Sequence, residues 1–261
     1  MRSVSGGLAA VVLGIALSAH GVAADAPAIN PLLVEPVDRL RPDEVRFMQQ
    51  RLADWPELQR YRDANARLPA AVPGQPRVVL FGDSITEGWG REGSEAFFPG
   101  KGWLNRGISG QTTAQMLVRF PQDVLALKPQ VVVILAGTND IAGNTGPATP
   151  QMIQDNLASM AQLARANGIA VVLASVLPAS DYPWKTGLQP APKIRALNDW
   201  IRQYAQRTGA VYLDYYGALD NGQGGLDAKV SGDGVHPNAA GYAVMAPLAQ
   251  AAVERALRQA R

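Results

Sequence analysis

The sequence contains no cysteine and only two histidines, His20 and His236. The absence of cysteine excludes disulfide bonds, a cysteine nucleophile and thiolate metal sites. The scarcity of histidine removes zinc sites that are built on several imidazoles. We therefore expect no metal site, and any histidine-dependent chemistry has very few residues to draw on.

The sequence also lacks an excess of charge of one sign. Lys and Arg total 24 against 22 Asp and Glu, which gives a formal net charge of +2, and no basic run stands out. A surface that tracks nucleic-acid phosphates or an anionic membrane needs such a run. Nucleic acid is therefore not an expected partner. The 261 residues, 47% of them hydrophobic, suffice for one sizeable core.

Long apolar runs are also rare, and the clearest one lies near the N-terminus, at Leu8–Ala19. It is too short for a bilayer-spanning helix, which needs roughly 20 residues. Arg2 precedes it, and the small residues up to Ala24 follow it. This pattern predicts a cleaved signal peptide over residues 1–24, with an uncleaved anchor as the alternative. We expect an exported protein, periplasmic or secreted, that begins at Asp25, keeps His236 as its one imidazole and has no stable membrane insertion.

Residues 25–76 form an N-terminal extension in the predicted domain organisation. A Pro-rich start is followed by helical spacing over residues 41–68, in two pieces that break near Trp55 and Pro56. Pro42 suits a first helical turn, and the acidic residues after it suit the helix dipole. We interpret the segment as a helical extension that packs on the main domain, residues 77–261. Its role is not indicated by the sequence.

From Arg77 onward, strand patterns alternate with helix patterns. The predicted strands are Arg77–Asp83, Trp103–Asn105, Gln130–Leu135, Ile169–Ala174 and Val211–Leu213, and the predicted helices are Thr113–Leu127, Pro150–Asn167, Pro192–Arg207 and Asn238–Leu257. This alternation predicts an α/β fold in which helices cover both faces of a parallel sheet, as a doubly wound three-layer sandwich. Functional residues in such sheets collect at the carboxyl ends of the strands.

Polar motifs follow the first three predicted strands. Ser84 stands in Gly-Asp-Ser at a strand-to-helix turn, where its hydroxyl is exposed and a helix N-terminus stabilises negative charge. Gly110 lies in a loop whose backbone amide can approach an oxyanion, and Asn139 offers a side-chain amide to the same oxygen. Taken singly, each motif also fits a capping serine, a tight loop or an Asx turn.

A fourth motif, Asp-Gly-Val-His-Pro, precedes the last predicted helix. Asp233, three residues before His236, can fix the tautomer of the imidazole and make it a general base. A structural histidine is the alternative. The four motifs together supply a nucleophile, oxyanion donors and an acid–base pair, which are the groups needed for acyl transfer.

These motifs resemble the four blocks of the SGNH hydrolase superfamily, the GDSL-like lipases and acylhydrolases. The resemblance runs from about Arg77 to the end of the sequence and is strongest to the bacterial branch near platelet-activating-factor acetylhydrolase. The first block reads Gly-Asp-Ser-Ile, so Ile85 stands where the GDSL motif of the family name has Leu. It implies a serine esterase with a flavodoxin-like sandwich of about five parallel strands and no cofactor.

The resemblance also implies a role for each motif residue. Ser84 becomes the nucleophile, His236 its base and Asp233 the partner of that base. The backbone amides of Ser84 and Gly110 and the side chain of Asn139 become the oxyanion hole.

The substrate is less clearly indicated by the sequence. The loop over residues 178–192 follows the fourth strand, so Tyr182 and Trp184 are candidates for a wall that stacks a sugar ring or packs an acyl chain. Aromatic residues buried for stability are the alternative. We expect short-chain, acetyl esters of small molecules or glycans as substrates. A lysophospholipase or thioesterase for longer chains, or a non-catalytic carbohydrate-binding relative, are the other hypotheses. The oligomeric state is not indicated.

Overall fold

The computed structural model describes residues 35–72, 74–91 and 97–260. The predicted signal peptide, the predicted new N-terminus at Asp25 and the first histidine lie outside these ranges. No helix in the described ranges combines the length and the apolar character needed to cross a membrane.

A five-stranded, fully parallel sheet forms the centre of the fold, as predicted. Its strands are β1 (Val78–Gly82), β2 (Leu104–Gly107), β3 (Val131–Leu135), β4 (Ala170–Ala174) and β5 (Val211–Leu213). Their order is β2-β1-β3-β4-β5, which is the flavodoxin-like order. Gly82, Gly107 and Leu135 stand side by side in the register. The carboxyl ends of the first three strands therefore lie at one level.

Helices cover both faces of the sheet in the described ranges. The helices are α1 (Pro42–Ala53), α2 (Arg62–Ala66), α3 (Ser84–Glu87), α4 (Thr113–Asp123), α5 (Thr138–Ala142), α6 (Pro150–Ala166), α7 (Pro190–Thr208), α8 (Tyr215–Leu219) and α9 (Ala239–Gln259). Residues of α4, α6 and α7 share one buried cluster, and residues of α3, α8 and α9 share another. The predicted three-layer sandwich is therefore confirmed.

The two buried clusters follow from the period of two along each strand. Val79 and Phe81 of β1 belong to the cluster under α4, α6 and α7, whereas Val78 and Leu80 belong to the cluster under α9. Successive side chains of a strand point to opposite faces. Because helices cover both faces, every residue of β1 and β3 is buried. This explains why these strands read as continuous apolar runs.

Several predicted boundaries differ from the observed ones. The second strand is Leu104–Gly107 instead of Trp103–Asn105, and α7 begins at Pro190, two residues before the predicted start. Helix α8 was not predicted; its local signal is a helix cap, Asp214, which accepts a hydrogen bond from the Gly217 N–H at 2.8 Å.

The N-terminal extension is less helical than predicted. Helix α1 begins at Pro42 as expected, but only the short α2 follows. Leu52 of α1 is 75% exposed. Hydrogen bonds hold the extension to the sandwich: Tyr61 Oη donates to Gly107 O at 2.5 Å, and Asn65 Nδ2 donates to Asp123 Oδ1 at 2.8 Å. These bonds place the extension against α4 and the end of β2.

Candidate active site

Ser84 lies at the junction of β1 and α3. Asp83 caps the helix, because its Oδ1 accepts a hydrogen bond from Ile85 N at 3.0 Å. Ser84 is the first residue of α3, and the first N–H groups of a helix have no partner within the helix. Glycine is required nearby: a Cβ on Gly107 would lie 2.1 Å from the backbone nitrogen of Glu87. The close approach of α3 to β2 therefore fixes the position of Ser84.

His236 and Asp233 extend from Ser84 in one hydrogen-bonded series. Ser84 Oγ lies 2.9 Å from His236 Nε2, and His236 Nδ1 lies 2.6 Å from Asp233 Oδ2. Gly234, between the two, has a φ of +80° and allows the tight turn that brings them together. Asn238 then caps α9 by accepting from Gly241 N. The structure thus brings together the three residues that the sequence singled out for proton handling.

The Asp233 carboxylate is held in its ionised form. Partial burial raises its pKa, but hydrogen bonds from the His236 side chain and from the backbone N–H groups of His236 and Val235 outweigh this effect and lower the pKa to about 2. A carboxylate that accepts several such bonds stays charged. It is therefore available to orient the imidazole and to stabilise an imidazolium.

Gly110 and Asn139 lie on neighbouring segments that are bonded to each other. Gly110 has a φ of +77°, a conformation that suits glycine. Asn139 is buried at 2% exposure, and its Nδ2 donates to the backbone oxygen of Gln111 at 3.0 Å. A side-chain amide carries two donor hydrogens, so one Nδ2 hydrogen remains for a further acceptor. This bond therefore joins the loop after β2 to α5.

A buried arginine supports this loop, and the sequence analysis missed it. Arg119 of α4 is fully buried. Its guanidinium donates to Gln111 Oε1 at 2.5 Å, to Arg106 O at 2.9 Å and to Gly82 O at 2.9 Å. It also forms an ion pair with the buried Asp123 at 3.1 Å. One side chain therefore holds the ends of β1 and β2 and the end of the Gly110 loop together.

Two further carboxylates lie beneath the site. Burial raises the pKa of Asp83 to about 7, against the opposing effects of the Ile85 N–H and of His236. Burial also raises the pKa of Asp140, whose oxygens accept from the backbone and the hydroxyl of Thr113. Asp140 therefore ties α5 to the start of α4.

The aromatic pair of the 178–192 loop is divided between core and surface. Tyr182 is fully buried, and its Oη lies 3.0 Å from Thr138 Oγ1. Of the two alternatives left open by the sequence, burial for stability therefore holds for Tyr182, because its ring fills the core. Trp184 stacks on Tyr182 with ring centroids 5.1 Å apart, is 44% exposed and lies 6.0 Å from the His236 ring. Only Trp184 of the two is placed to contact a ligand.

A three-layer sandwich with these residues at the carboxyl edge of its sheet is the architecture of an α/β/α hydrolase. The model of the GDSL-like lipase/acylhydrolase family matches residues 80–244. The esterase TesA of Pseudomonas aeruginosa is 33% identical over 175 residues, 61% of this chain and 79% of that protein. A candidate acylhydrolase from Bacteroides fragilis is 44% identical in its crystal structure, with a TM-score of 0.75 over 78% of this chain and 99% of that one.

A further relative is an acetylxylan esterase of Geobacillus stearothermophilus, 24% identical over 200 residues, 65% of this chain and 90% of that protein. The chain belongs to the GDSL-like lipase/acylhydrolase family, and it is a carboxylic ester hydrolase. The resemblance inferred from the sequence motifs is thereby confirmed.

Proposed function

We propose that the protein is a serine esterase that releases short acyl groups, acetyl above all, from carbohydrate esters through an acyl-enzyme on Ser84. One observation carries the proposal, namely the series of hydrogen bonds of 2.9 and 2.6 Å that joins Ser84 Oγ, His236 and Asp233. A hydroxyl is a weak nucleophile, and an oriented imidazole within hydrogen-bond reach is the usual means of activating it.

In the first half of the reaction, Ser84 Oγ attacks the ester carbonyl carbon while His236 Nε2 takes the hydroxyl proton. The carbonyl oxygen becomes an oxyanion that accepts hydrogen bonds from the amides of Ser84 and Gly110 and from Asn139 Nδ2. The bond to the alcohol oxygen then breaks, and the alcohol leaves with the proton from His236. Asp233, whose pKa of about 2 keeps it ionised, stabilises the imidazolium in between.

In the second half, water replaces the alcohol. His236 takes a proton from the water, whose oxygen attacks the acyl carbon of the Ser84 ester. Collapse of the second tetrahedral intermediate breaks the bond to Ser84 Oγ, which regains its proton from His236. The carboxylic acid is released and the enzyme returns to its starting state.

Trp184 supports a carbohydrate as the alcohol part of the substrate. Its ring is rigidly stacked on Tyr182 and is exposed beside His236, the residue that protonates the leaving alcohol. An aromatic ring with an exposed part offers apolar contact to the ring hydrogens of a sugar. The acetylxylan esterase among the relatives acts, by its name, on an acetylated polysaccharide. An exported enzyme, with residues 1–24 as a cleaved signal, suits such a substrate.

Hydrolysis of p-nitrophenyl esters from acetate to palmitate tests the proposal. We expect turnover to peak at acetate or butyrate, and we expect Ser84→Ala to lose on the order of 10⁴–10⁶ in kcat. Ser109→Ala is the matched control, because Ser109 lies exposed in the Gly110 loop and should keep wild-type turnover. A peak at palmitate would instead favour the lysophospholipase or thioesterase hypothesis. Equal turnover by the Ser84→Ala variant would refute the proposal.

Acetate release from acetylated xylan tests the substrate class. We expect the wild type to release acetate and Trp184→Ala to show a raised KM on acetylated xylan, with an unchanged KM on p-nitrophenyl acetate. An equal rise in KM on both substrates would contradict a sugar platform at Trp184.

A further inference from the structure

We propose that Asn144 is a positioning residue that fixes the orientation of the Asn139 amide and couples it to Trp184. This role rests on the proposed function, in which Asn139 donates to the oxyanion. Asn144 lies just after α5, and its backbone N–H donates to Asn139 O at 3.0 Å. The turn between them uses Gly143, which has a φ of +70°.

The amide of Asn144 contacts the amide of Asn139 directly. Asn144 Nδ2 donates to Asn139 Oδ1 at 2.7 Å, while Asn139 Nδ2 donates to Gln111 O at 3.0 Å. If Asn139 were flipped, its NH₂ group would face the NH₂ group of Asn144 and its oxygen would face a backbone oxygen. Because Asn139 is buried, neither unfavourable contact would be relieved by water.

Trp184 gives this series its direction. Its Nε1–H donates to Asn144 Oδ1 at 3.2 Å. An indole N–H is a donor only, and a backbone carbonyl is an acceptor only. With Trp184 at one end and the Gln111 carbonyl at the other, both amides between them have a single orientation that satisfies every contact. In that orientation the second Nδ2 hydrogen of Asn139 is free to bond an oxyanion.

The same bonds strengthen the donor. A hydrogen bond accepted by the Asn139 oxygen polarises its amide and makes its N–H groups better donors. Trp184 is 44% exposed and lies beside His236. A ligand that contacts the Trp184 ring therefore contacts the side chain that is hydrogen-bonded to Asn144. Asn144 therefore joins the exposed ring at the mouth of the site to the buried oxyanion donor.

Steady-state kinetics of Asn144→Ala on p-nitrophenyl acetate test this role. We expect kcat to fall on the order of 10-fold, less than the 10²–10³ that loss of a whole donor typically costs. KM should stay within about twofold, because the substrate carbonyl gains these bonds fully only in the transition state. The acid and base limbs of the pH profile should be unchanged, because Ser84, His236 and Asp233 are untouched.

A double-mutant cycle separates positioning from a structural effect. In an Asn139→Ala background, Asn144→Ala should cause no further loss of kcat, because the group it orients is gone. Trp184→Phe, which keeps the ring and removes the N–H, should also lower kcat, and its loss should not add to that of Asn144→Ala. Thr145→Val is the matched control in the same turn, since among the described residues the Thr145 side chain is hydrogen-bonded to Thr112 Oγ1, at 3.0 Å, and not to Asn139.

Two results would overturn the role of Asn144. One is a kcat for Asn144→Ala within twofold of the wild type, and the other is a loss that adds fully to that of Asn139→Ala. Failure of the proposed function looks different, because turnover would then not depend on Ser84 at all.

Discussion

Replacement of Arg119 by methionine removes the buried guanidinium that joins three segments beneath the site. The carbonyls of Gly82 and Arg106 and the Gln111 side chain lose this donor. Asp123 keeps its bond from Asn65 but loses its cationic partner. Methionine fills much of the volume but supplies no hydrogen-bond donor, so the variant isolates the polar contribution.

The expected loss of stability follows from the burial of the Arg119–Asp123 ion pair. Both partners of the Arg119–Asp123 pair have 0% side-chain exposure, and breaking a buried pair by removing one partner typically costs about 3–5 kcal/mol. Burial of the methionine side chain offsets part of the loss of the three other hydrogen bonds. We therefore expect the free energy of unfolding to fall by at least about 3–5 kcal/mol, a fifth or more of the ~5–15 kcal/mol of a typical domain.

Urea denaturation of Arg119→Met and wild type measures this difference. The matched control is Arg202→Met, since the Arg202–Asp199 pair is exposed at 46% and 64% and should change stability by less than about 1 kcal/mol. Adding Asp123→Leu to Arg119→Met should restore part of the loss, because the unpaired buried carboxylate is then gone. A cost for Arg119→Met as small as that of the control, at an unchanged m-value, would refute the reasoning.

Three further predictions concern the site. Asp233→Asn should lower kcat by about 10⁴-fold. As pH falls from about 4 toward 2, the wild type should lose more stability than this variant, because the depressed folded-state pKa of Asp233 adds to the acid loss only in the wild type; equal acid titrations of the two proteins would contradict this. Asp83 has a raised pKa of about 7, so the folded state holds its proton more tightly and stability falls as pH rises from about 4 to 7. Asp83→Asn should reduce that dependence in thermal melts, and an unchanged dependence would exclude the assignment. Gly107→Ala should lower the free energy of unfolding by about 1–3 kcal/mol, because the added Cβ would lie 2.1 Å from a backbone nitrogen of α3. Gly232→Ala is the control, because nothing lies within 4 Å of its added Cβ. Equal melting temperatures of the two variants would contradict the clash.

The sheet and the positions of the site residues could be predicted from the sequence because both depend on local patterns. Buried parallel strands read as short apolar runs, and each polar motif follows the end of such a run. Residues far apart in sequence, such as Ser84 and Asn139, come together simply because Gly82 and Leu135 pair in the register. The relative positions of the motifs can therefore be predicted from the order of the strands, without knowledge of the side-chain contacts.

The contacts that support the site could not be predicted in the same way. Arg119 looks like an ordinary polar residue of an amphipathic helix, and only the folded chain surrounds it with acceptors from β1, β2 and the Gly110 loop. The bond from Tyr61 to Gly107 spans 46 residues and leaves no periodic signal. Tyr182 and Trp184 are two residues apart in one loop, yet only the tertiary structure decides that one is buried and the other exposed.

Covalent labelling of Ser84 by diethyl p-nitrophenyl phosphate tests the central claim most directly. The reagent transfers a diethylphosphoryl group to an activated serine hydroxyl and releases p-nitrophenol, so intact mass and peptide mapping report both the number and the position of adducts. We expect one adduct, on Ser84, that is absent from Ser84→Ala and forms far more slowly in His236→Ala. An adduct on another residue, or equal labelling of the Ser84→Ala variant, would contradict the assignment of Ser84 as the nucleophile.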